Sequence, residues 1–250
     1  MKSNLICFLT ALRFLTILPL PWYADRDSEY FAKCGNYFSL VGLLIGIGGV
    51  ILTSLLAQFL PPPLFSCVII LYLAIISGFL HLDGLADTAD GFLSARPKEK
   101  ILVIMHDSRS GAMGVIALVL LLLFKFAALL SIPTEKVAAA VLFMPLGGRC
   151  ALVISMAYLP CAREGGLGRL FSVTKNLLTP ALAILVILVT GVFSNFLFAL
   201  LTLAALLSTV FLFGMWCRKV LGGTTGDTLG AVCELTETAV AMFFAIYLNL

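Results

Sequence analysis

Three aspartates at the end of a long apolar run are the first residues of this sequence that could do chemistry. Asp83, Asp87 and Asp90 have the spacing i, i+4 and i+7, which places them on one side of a helix. Like charges held this close repel one another, and near lipid they are costly unless a cation is bound. The spacing therefore predicts a divalent metal site at a membrane surface. The alternative is a helix end whose acids only face water.

A second polar segment, MHDSRSGAMG, has features of a phosphate site. Arg109 can donate two parallel hydrogen bonds to a phosphate, and Asp107 and Ser108 stand beside it. The serines and glycines of this segment open the next apolar run, and a helix N-terminus attracts anions. The alternative is that Asp107 or Ser110 only caps that helix.

A third segment, LGGTTGDTLGAVCELTE, joins a flexible loop to a second acidic pair. Loops rich in exposed amides cradle phosphates, and the candidates for that role are Gly222, Gly223, Thr225 and Gly226. The loop is not a P-loop, because no Gly-Lys-Ser/Thr follows. Asp227 and Glu234 have the spacing i, i+7 and share a helix face. Acids near a helix N-terminus are also mildly stabilised without a catalytic role.

Isolated polar residues complete the candidates for substrate contact. His81 precedes the aspartates, and Arg163 flanks a glycine stretch that is either a binding loop or a plain connection. Lys125 and Arg149 lie inside apolar spans, where an unpaired charge is expensive. Either could pair with an acid. Arg149 could also reach a phosphate, and Lys125 could snorkel to the membrane surface.

The composition is that of a membrane protein. The chain has 250 residues, of which 61% are hydrophobic and 12% charged, and its mean hydropathy is +1.11. A soluble domain carries about 25% charged residues. The net charge of +3 is too small to suggest a nucleic-acid partner. Seven cysteines at irregular spacing indicate neither a zinc site nor a disulfide framework.

The apolar runs predict an all-α, polytopic membrane bundle that forms one integral-membrane domain over residues 1–250. About seven spans are expected, at residues 38–60, 64–82, 113–132, 137–159, 177–194, 196–217 and 228–250. Arg13 interrupts the apolar N-terminus, and Pro19 and Pro21 end it, which favours an interfacial or re-entrant helix there. The glycines of GLLIGIGG predict close packing between helices.

The charged residues are strongly biased to one side of the predicted spans. If the spans alternate, every basic residue falls on that side except Lys125, Arg149 and Lys136, and every acid except Glu135. The positive-inside rule makes this side cytoplasmic. Magnesium binds one or two carboxylates and shares the phosphates of a substrate, where it stabilises a leaving oxygen. These observations predict a membrane transferase that acts on a diphosphate substrate at the cytoplasmic face.

Six segments together resemble the cobalamin synthase (adenosylcobinamide-GDP ribazoletransferase) family. They occur in the family's order and extend over nearly the whole chain: FLTILPLP, YFSLVGLLIG, GFLHLDGLADTADGF, IMHDSRSGAMG, AREGGLG and LGGTTGDTLGAVCELTE. Two positions depart from the family pattern. Ser39 stands where a proline is usual, and His106 stands where an arginine is expected, so a role for position 106 is in doubt.

The resemblance implies the last step of cobalamin nucleotide-loop assembly, in the cytoplasmic (inner) membrane of a bacterium or archaeon. A ribose hydroxyl of α-ribazole, or of its 5′-phosphate, would attack adenosylcobinamide-GDP, releasing GMP and forming adenosylcobalamin with Mg²⁺. Asp83, Asp87 and Asp90 would bind the metal. Asp227 and Glu234 would bind a second metal or act as the general base. Besides these substrates the expected partner is the lipid bilayer, and an oligomer is left open.

Three other classes of protein share some of these features. A CDP-alcohol phosphotransferase-like enzyme and an aspartate-rich membrane prenyltransferase also carry acids at the ends of spans, but their usual acid spacings are absent here. A cation transporter would use acids inside the membrane as an ion path. It would therefore predict acids at mid-membrane rather than at the ends of spans.

Overall fold

The fold is a bundle of helices. The computed structural model describes residues 2–20, 30–31, 33–162 and 177–250, in which the one extended pairing is a bridge between Cys161 and Thr224. The helices of these residues are α1 Lys2–Leu15, α2 Phe38–Leu56, α3 Pro62–Ile76, α4 Leu80–Phe92, α5 Lys98–Ile104, α6 Ala112–Ser131, α7 Thr134–Tyr158, α8 Leu178–Phe193, α9 Phe196–Leu221 and α10 Gly226–Leu248. A short 3-10 turn, Gly35–Tyr37, leads into α2.

Five of the described helices, α2, α6, α7, α9 and α10, are long and apolar enough to cross a membrane. The pair α3 and α4 would add a sixth span if its two bent parts count as one. α1 and α8 have 14 and 16 residues, fewer than the roughly 20 that a straight span needs. The prediction of an all-α polytopic membrane protein is confirmed, and the short α1 agrees with an N-terminal helix that does not span.

The predicted span 64–82 is wrong at its C-terminal end, because α3 ends at Ile76. Gly78 and Phe79 have φ angles of 58° and 60°, which no right-handed helix can contain. The chain then turns by 89° into α4. The prediction placed the aspartates just after one continuous span, whereas they lie on a separate helix beyond this bend.

Glycines allow α2 to lie directly against α7, the central helix of the bundle. Of the most apolar stretch of α7, 83% is buried, against 28% for α6. A Cβ atom at Gly42 would stand 2.6 Å from the carbonyl oxygen of Pro145, and one at Gly46 would overlap the backbone of Leu142. The prediction that GLLIGIGG serves close helix packing is confirmed.

Many polar side chains gather at one end of this bundle, which we call the site end. Here α7 and α9 end and α6 and α10 begin. Backbone hydrogen bonds join the segments after α7 and α9, from Ala162 N to Thr224 O and from Thr224 N to Pro160 O, both at 2.8 Å. At the other end, Asn249 donates to the carbonyl oxygen of Ser131. The topology thus brings segments far apart in sequence to one end.

Replacing Gly42 with alanine tests the contact between α2 and α7. The added methyl group meets backbone, which cannot move aside, so we expect Gly42→Ala to lower the free energy of unfolding by about 1–3 kcal/mol. Gly226→Ala is the matched control, because a Cβ there has no neighbour within 4 Å. Thermal unfolding in detergent measures both variants. Equal melting temperatures for the two would contradict the packing described here.

Candidate functional site

The candidate site is built around the crossing of α4 and α10. A Cβ atom at Gly84 would stand 2.7 Å from the carbonyl oxygen of Asp227 and 3.1 Å from its Cα. From the other helix, a Cβ at Gly230 would stand 3.3 Å from the Cα of His81. The two helices therefore touch backbone to backbone, with a glycine on each side. This contact brings the acidic segment of α4 and the first turn of α10 together.

A cleft of about 170 Å³ lies beside the crossing. It is lined by Phe14, Phe38, Leu80, His81, Asp83, Gly84, Leu152, Met156, Gly226, Asp227, Leu229 and Gly230. Asp83 is exposed and Asp227 is half-buried. His81 is 3% exposed, and among the described residues its buried Nε2 atom has no hydrogen-bond partner. The cleft thus combines two carboxylates from different helices with a buried histidine in its wall.

The carboxylates near this cleft suit magnesium better than a metal whose ligands must all come from the protein. Within the residues that the structure describes, no group of three or more His, Cys, Asp or Glu side chains could hold a metal ion. Asp83 and Asp227 both line the cleft, and Asp87 is half-buried one turn further along α4. Magnesium keeps several waters and takes one or two carboxylates together with substrate phosphates. A magnesium site here stays a prediction.

Asp90, the third predicted metal ligand of α4, binds the N-terminus of α6. Its carboxylate accepts hydrogen bonds from the backbone N–H groups of Gly111, at 2.7 Å, and Gly114, at 2.8 Å. The anion at this helix N-terminus is therefore the protein's own carboxylate. The sequence allowed two other interpretations, a bound phosphate or a cap by Asp107 or Ser110. Neither is needed to satisfy these two backbone N–H groups.

The predicted phosphate-binding arginine is on an exposed loop. Arg109 donates to both carboxylate oxygens of Asp107, at 3.0 and 2.7 Å. These hydrogen bonds lower the pKa of Asp107 to about 2. The Arg109 side chain is 86% exposed, and Ser108 beside it is exposed as well. A guanidinium held this way remains accessible to an anionic substrate from solution.

Most residues of the predicted phosphate-binding loop have a structural role, in helix capping or in close backbone packing. Gly222 has a φ of 76° and ends α9 as a left-handed C-cap. A Cβ at Gly223 would overlap the carbonyl group of Pro160. Thr225 is the N-cap of α10 and forms a capping box with Thr228. Of the four residues predicted to bind phosphate here, Gly226 is the one that lines the cleft.

The structure adds a cation that the sequence did not single out. A Cβ at Gly222 would stand 3.7 Å from the Nζ atom of Lys98, the first residue of α5. The ammonium group of Lys98 therefore lies over the loop between α9 and α10. Basic residues are frequent near it in the sequence, since Arg96 and Lys100 flank it. No local pattern distinguishes the one that reaches the loop.

Two further predicted residues, Glu234 and Arg149, belong to a buried cluster of four charges. Lys125 Nζ lies 2.6 Å from Glu234 Oε2 and 3.0 Å from Glu237 Oε2. Arg149 donates to the other carboxylate oxygen of Glu237. All four residues are at most 3% exposed. The two cations and two anions join α6 and α7 to α10 inside the bundle, with no net charge.

This cluster changes the interpretation of three residues. Glu234 and Arg149 are buried in this cluster and do not line the cleft. Lys125 does not snorkel to the membrane surface, because its ammonium group is held by two glutamates. The sequence does carry a signal for this pairing. It places two cations inside apolar spans and two glutamates close together in another apolar helix. Arg163 lies outside the described residues.

The fold and the site define a multi-pass membrane protein with an acidic cleft at one end of its helix bundle. A sequence model for cobalamin-5-phosphate synthases (CobS) matches residues 7–245. The chain belongs to this family.

Proteins named adenosylcobinamide-GDP ribazoletransferase are similar over nearly the whole chain. One from Pseudomonas putida (strain F1) is 40% identical over 240 residues, covering 96% of this chain and 98% of the relative. One from Pseudomonas aeruginosa (strain PAO1) is 39% identical over 252 residues, covering 98% and 100%. One from Clostridium botulinum (strain 657) is 34% identical over 240 residues, covering 95% and 96%. No solved structure matches the chain.

The buried cluster can be tested by removing charges singly and in pairs. Lys125→Met leaves an uncompensated negative charge, and we expect it to lower the free energy of unfolding by about 3–5 kcal/mol. The double variant Lys125→Met with Glu234→Met leaves the neutral pair of Arg149 and Glu237. We expect it to be more stable than the single variant in thermal unfolding. A double variant less stable than Lys125→Met would contradict this account.

Proposed function

We propose that the chain is an adenosylcobinamide-GDP ribazoletransferase, which completes adenosylcobalamin. A ribose hydroxyl oxygen of α-ribazole, or of its 5′-phosphate, forms a bond to the cobinamide-side phosphorus of adenosylcobinamide-GDP. The bond from that phosphorus to the bridging oxygen breaks, GMP leaves, and the hydroxyl proton passes to a base. The observation that supports this most directly is the crossing of α4 and α10, which joins the carboxylates of two distant segments in one cleft.

Magnesium is the proposed cofactor. Asp83 and Asp227 would hold it, with Asp87 as a further carboxylate on the same side of α4. When bound, Mg²⁺ supplies positive charge that stabilises the bridging oxygen of the diphosphate as it leaves. Asp90 is the weaker candidate, because both of its carboxylate oxygens already accept backbone hydrogen bonds.

The general base and the phosphate contacts are assigned to residues of the chain itself. Asp227 lines the cleft and is half-buried, so of the two candidate bases it is the one placed to take a proton from a hydroxyl group in the cleft. Glu234 is buried against Lys125 and has no such access. Arg109, on its exposed loop, and Lys98, over the loop after α9, are the cations proposed to contact the phosphates.

The proposed location is the cytoplasmic membrane, with the site end facing the cytoplasm. Basic residues of the described segments cluster at the site end, among them Lys98, Lys100, Arg109, Arg218 and Lys219. Among the described residues, Lys136 is the basic residue at the opposite end. The positive-inside rule then orients the bundle. A nucleotide substrate is also available on that side.

The alternative of a cation transporter has no specific support. It requires acids inside the membrane that can pass an ion along. The structure does contain acids inside the bundle, Glu234 and Glu237, but both are bound to cations of the protein. A transported ion would have to displace Lys125 or Arg149 from a buried pair.

The proposal predicts that the two carboxylates of the cleft are essential. We expect Asp83→Asn and Asp227→Asn to reduce GMP release from adenosylcobinamide-GDP, with α-ribazole as acceptor, by about 100-fold or more. Glu99→Gln, at an exposed acid of α5, is the matched control and should retain activity. Retained activity in both cleft variants would refute the site. Activity that survives removal of all divalent metal would refute the magnesium proposal alone.

A further inference from the structure

A large apolar groove lies on the side of α4 opposite to its aspartates. Its volume is about 630 Å³, and α4, α6, α9 and α10 form its walls. Leu85 and Ala89 of α4 line it, and their positions on the helix are roughly opposite to those of Asp83 and Asp87. α4 therefore has carboxylates on one side and this groove on the other.

The groove is open on the outer side of the bundle, at the depth of one bilayer leaflet. Leu120 and Phe124 of α6 and Leu212 of α9 line it and are 50%, 55% and 62% exposed. From Ala117 to Phe124 it follows α6 for about 10 Å, starting near the site end. One leaflet contributes roughly 15 Å, half of the hydrocarbon core. The opening of the groove therefore faces acyl chains.

The lining of the groove suits a flexible hydrocarbon chain. None of the described residues that line it is charged, and large Leu, Phe, Trp and Met side chains predominate. Thr209 and Thr238 donate their hydroxyl groups to carbonyl oxygens of their own helices, and the hydroxyl oxygen of Thr88 is buried. Contacts between membrane helices instead use small residues that let the backbones approach. An acyl chain therefore fits this groove better than another helix does.

The site end of the groove carries basic residues. Trp216 lines the groove near the end of α9 and is 42% exposed, as is typical of an indole at a membrane interface. Lys219 is exposed and lies on the same side of α9, three residues further on. Arg96 is also exposed and follows Leu93, another lining residue, by three positions. Glu99, an acid of this region, is flanked by two lysines, so the charge here is positive.

We propose that this groove binds an anionic phospholipid from the leaflet at the site end. One acyl chain lies in the groove, and the phosphate of the headgroup contacts Arg96 and Lys219. The chain supports α4 from the side opposite to its carboxylates, so the lipid contributes to their placement. This inference goes beyond the proposed function and does not depend on which reaction the protein catalyses.

Quenching of Trp216 fluorescence measures the contact with lipid. The full chain carries Trp22→Phe, which leaves Trp216 as its one tryptophan, and is reconstituted without substrates in phosphatidylcholine vesicles. A small fraction of the lipid is phosphatidylglycerol or phosphatidylcholine brominated on its acyl chains, since bromine quenches an indole that it contacts. We expect Trp216 to associate with phosphatidylglycerol about tenfold more strongly, because each basic residue near the surface contributes about fivefold. Equal association with the two lipids would overturn the proposal.

Filling the groove distinguishes a bound lipid from general contact with the bilayer. Ala117→Phe puts a larger side chain into the groove, and we expect it to bring the ratio of the two association constants to within about twofold of one. Ala181→Phe is the matched control, because Ala181 lines a different apolar groove, and it should keep the ratio. A ratio that Ala117→Phe leaves unchanged, or that both variants lower equally, would overturn the proposal.

A charge variant tests the headgroup contact and replaces Ala117→Phe if that variant does not fold. Arg96→Gln together with Lys219→Gln changes two exposed side chains, and we expect the preference for phosphatidylglycerol to fall about fivefold or more. Lys136→Gln, at the opposite end of the bundle, should leave the preference unchanged. An unchanged preference in the double variant would overturn the proposal. These measurements use no substrate, so a failure of the proposed reaction and a failure of this lipid site are distinguishable.

Discussion

The site depends on the close approach of α4 and α10 at Gly84 and Gly230. No larger side chain fits at Gly84, because a Cβ atom there would meet the backbone of Asp227 at 2.7 Å. The approach turns two acidic segments, far apart in sequence, into the two sides of one cleft. Helices that meet through glycine can come close enough to bring their backbones into contact, which side chains of ordinary size prevent. The position of these two carboxylates therefore depends on residues that carry no functional group.

Two other contacts hold α4 and α10 in this relation, and both involve α6. Asp90 of α4 binds the N-terminus of α6 through Gly111 and Gly114. Further along α6, Lys125 binds Glu234 and Glu237 of α10. α6 is thus fixed to each acid-bearing helix by buried or partly buried charge. Acids that look catalytic in the sequence serve in part to position those that line the cleft.

Much of the fold, and part of the site, could be predicted from the sequence. Apolar runs of about 20 residues indicate spans directly, and the spacing of Gly42 and Gly46 indicates close packing on one helix face. The break before α4 could not be predicted in the same way, because Phe79 takes a positive φ that its residue type disfavours. Because the predicted span 64–82 ran through this break, it also placed the aspartates directly after that span instead of on α4.

The roles of single acids were harder to predict, because they depend on partners distant in sequence. Asp90 accepts hydrogen bonds from backbone groups 21 and 24 residues away, and Lys125 pairs with glutamates 109 and 112 residues away. A stripe of acids on one helix does not reveal which of them faces a cleft. The resemblance to a family identified the reaction. The contacts showed that Asp83 and Asp227 line the cleft, whereas Asp90 and Glu234 bind other parts of the protein.

The most direct test of this account is a cross-link between the two acid-bearing helices in the membrane. Asp83→Cys and Asp227→Cys are introduced together, treated with a short bismaleimide, and mapped by mass spectrometry. The account predicts an efficient link between positions 83 and 227. The pair Asp83→Cys and Glu135→Cys, whose second position lies at the opposite end of the bundle, should give none. Absence of the 83–227 link in folded protein, with both cysteines reactive, would contradict the meeting of α4 and α10 on which the site depends.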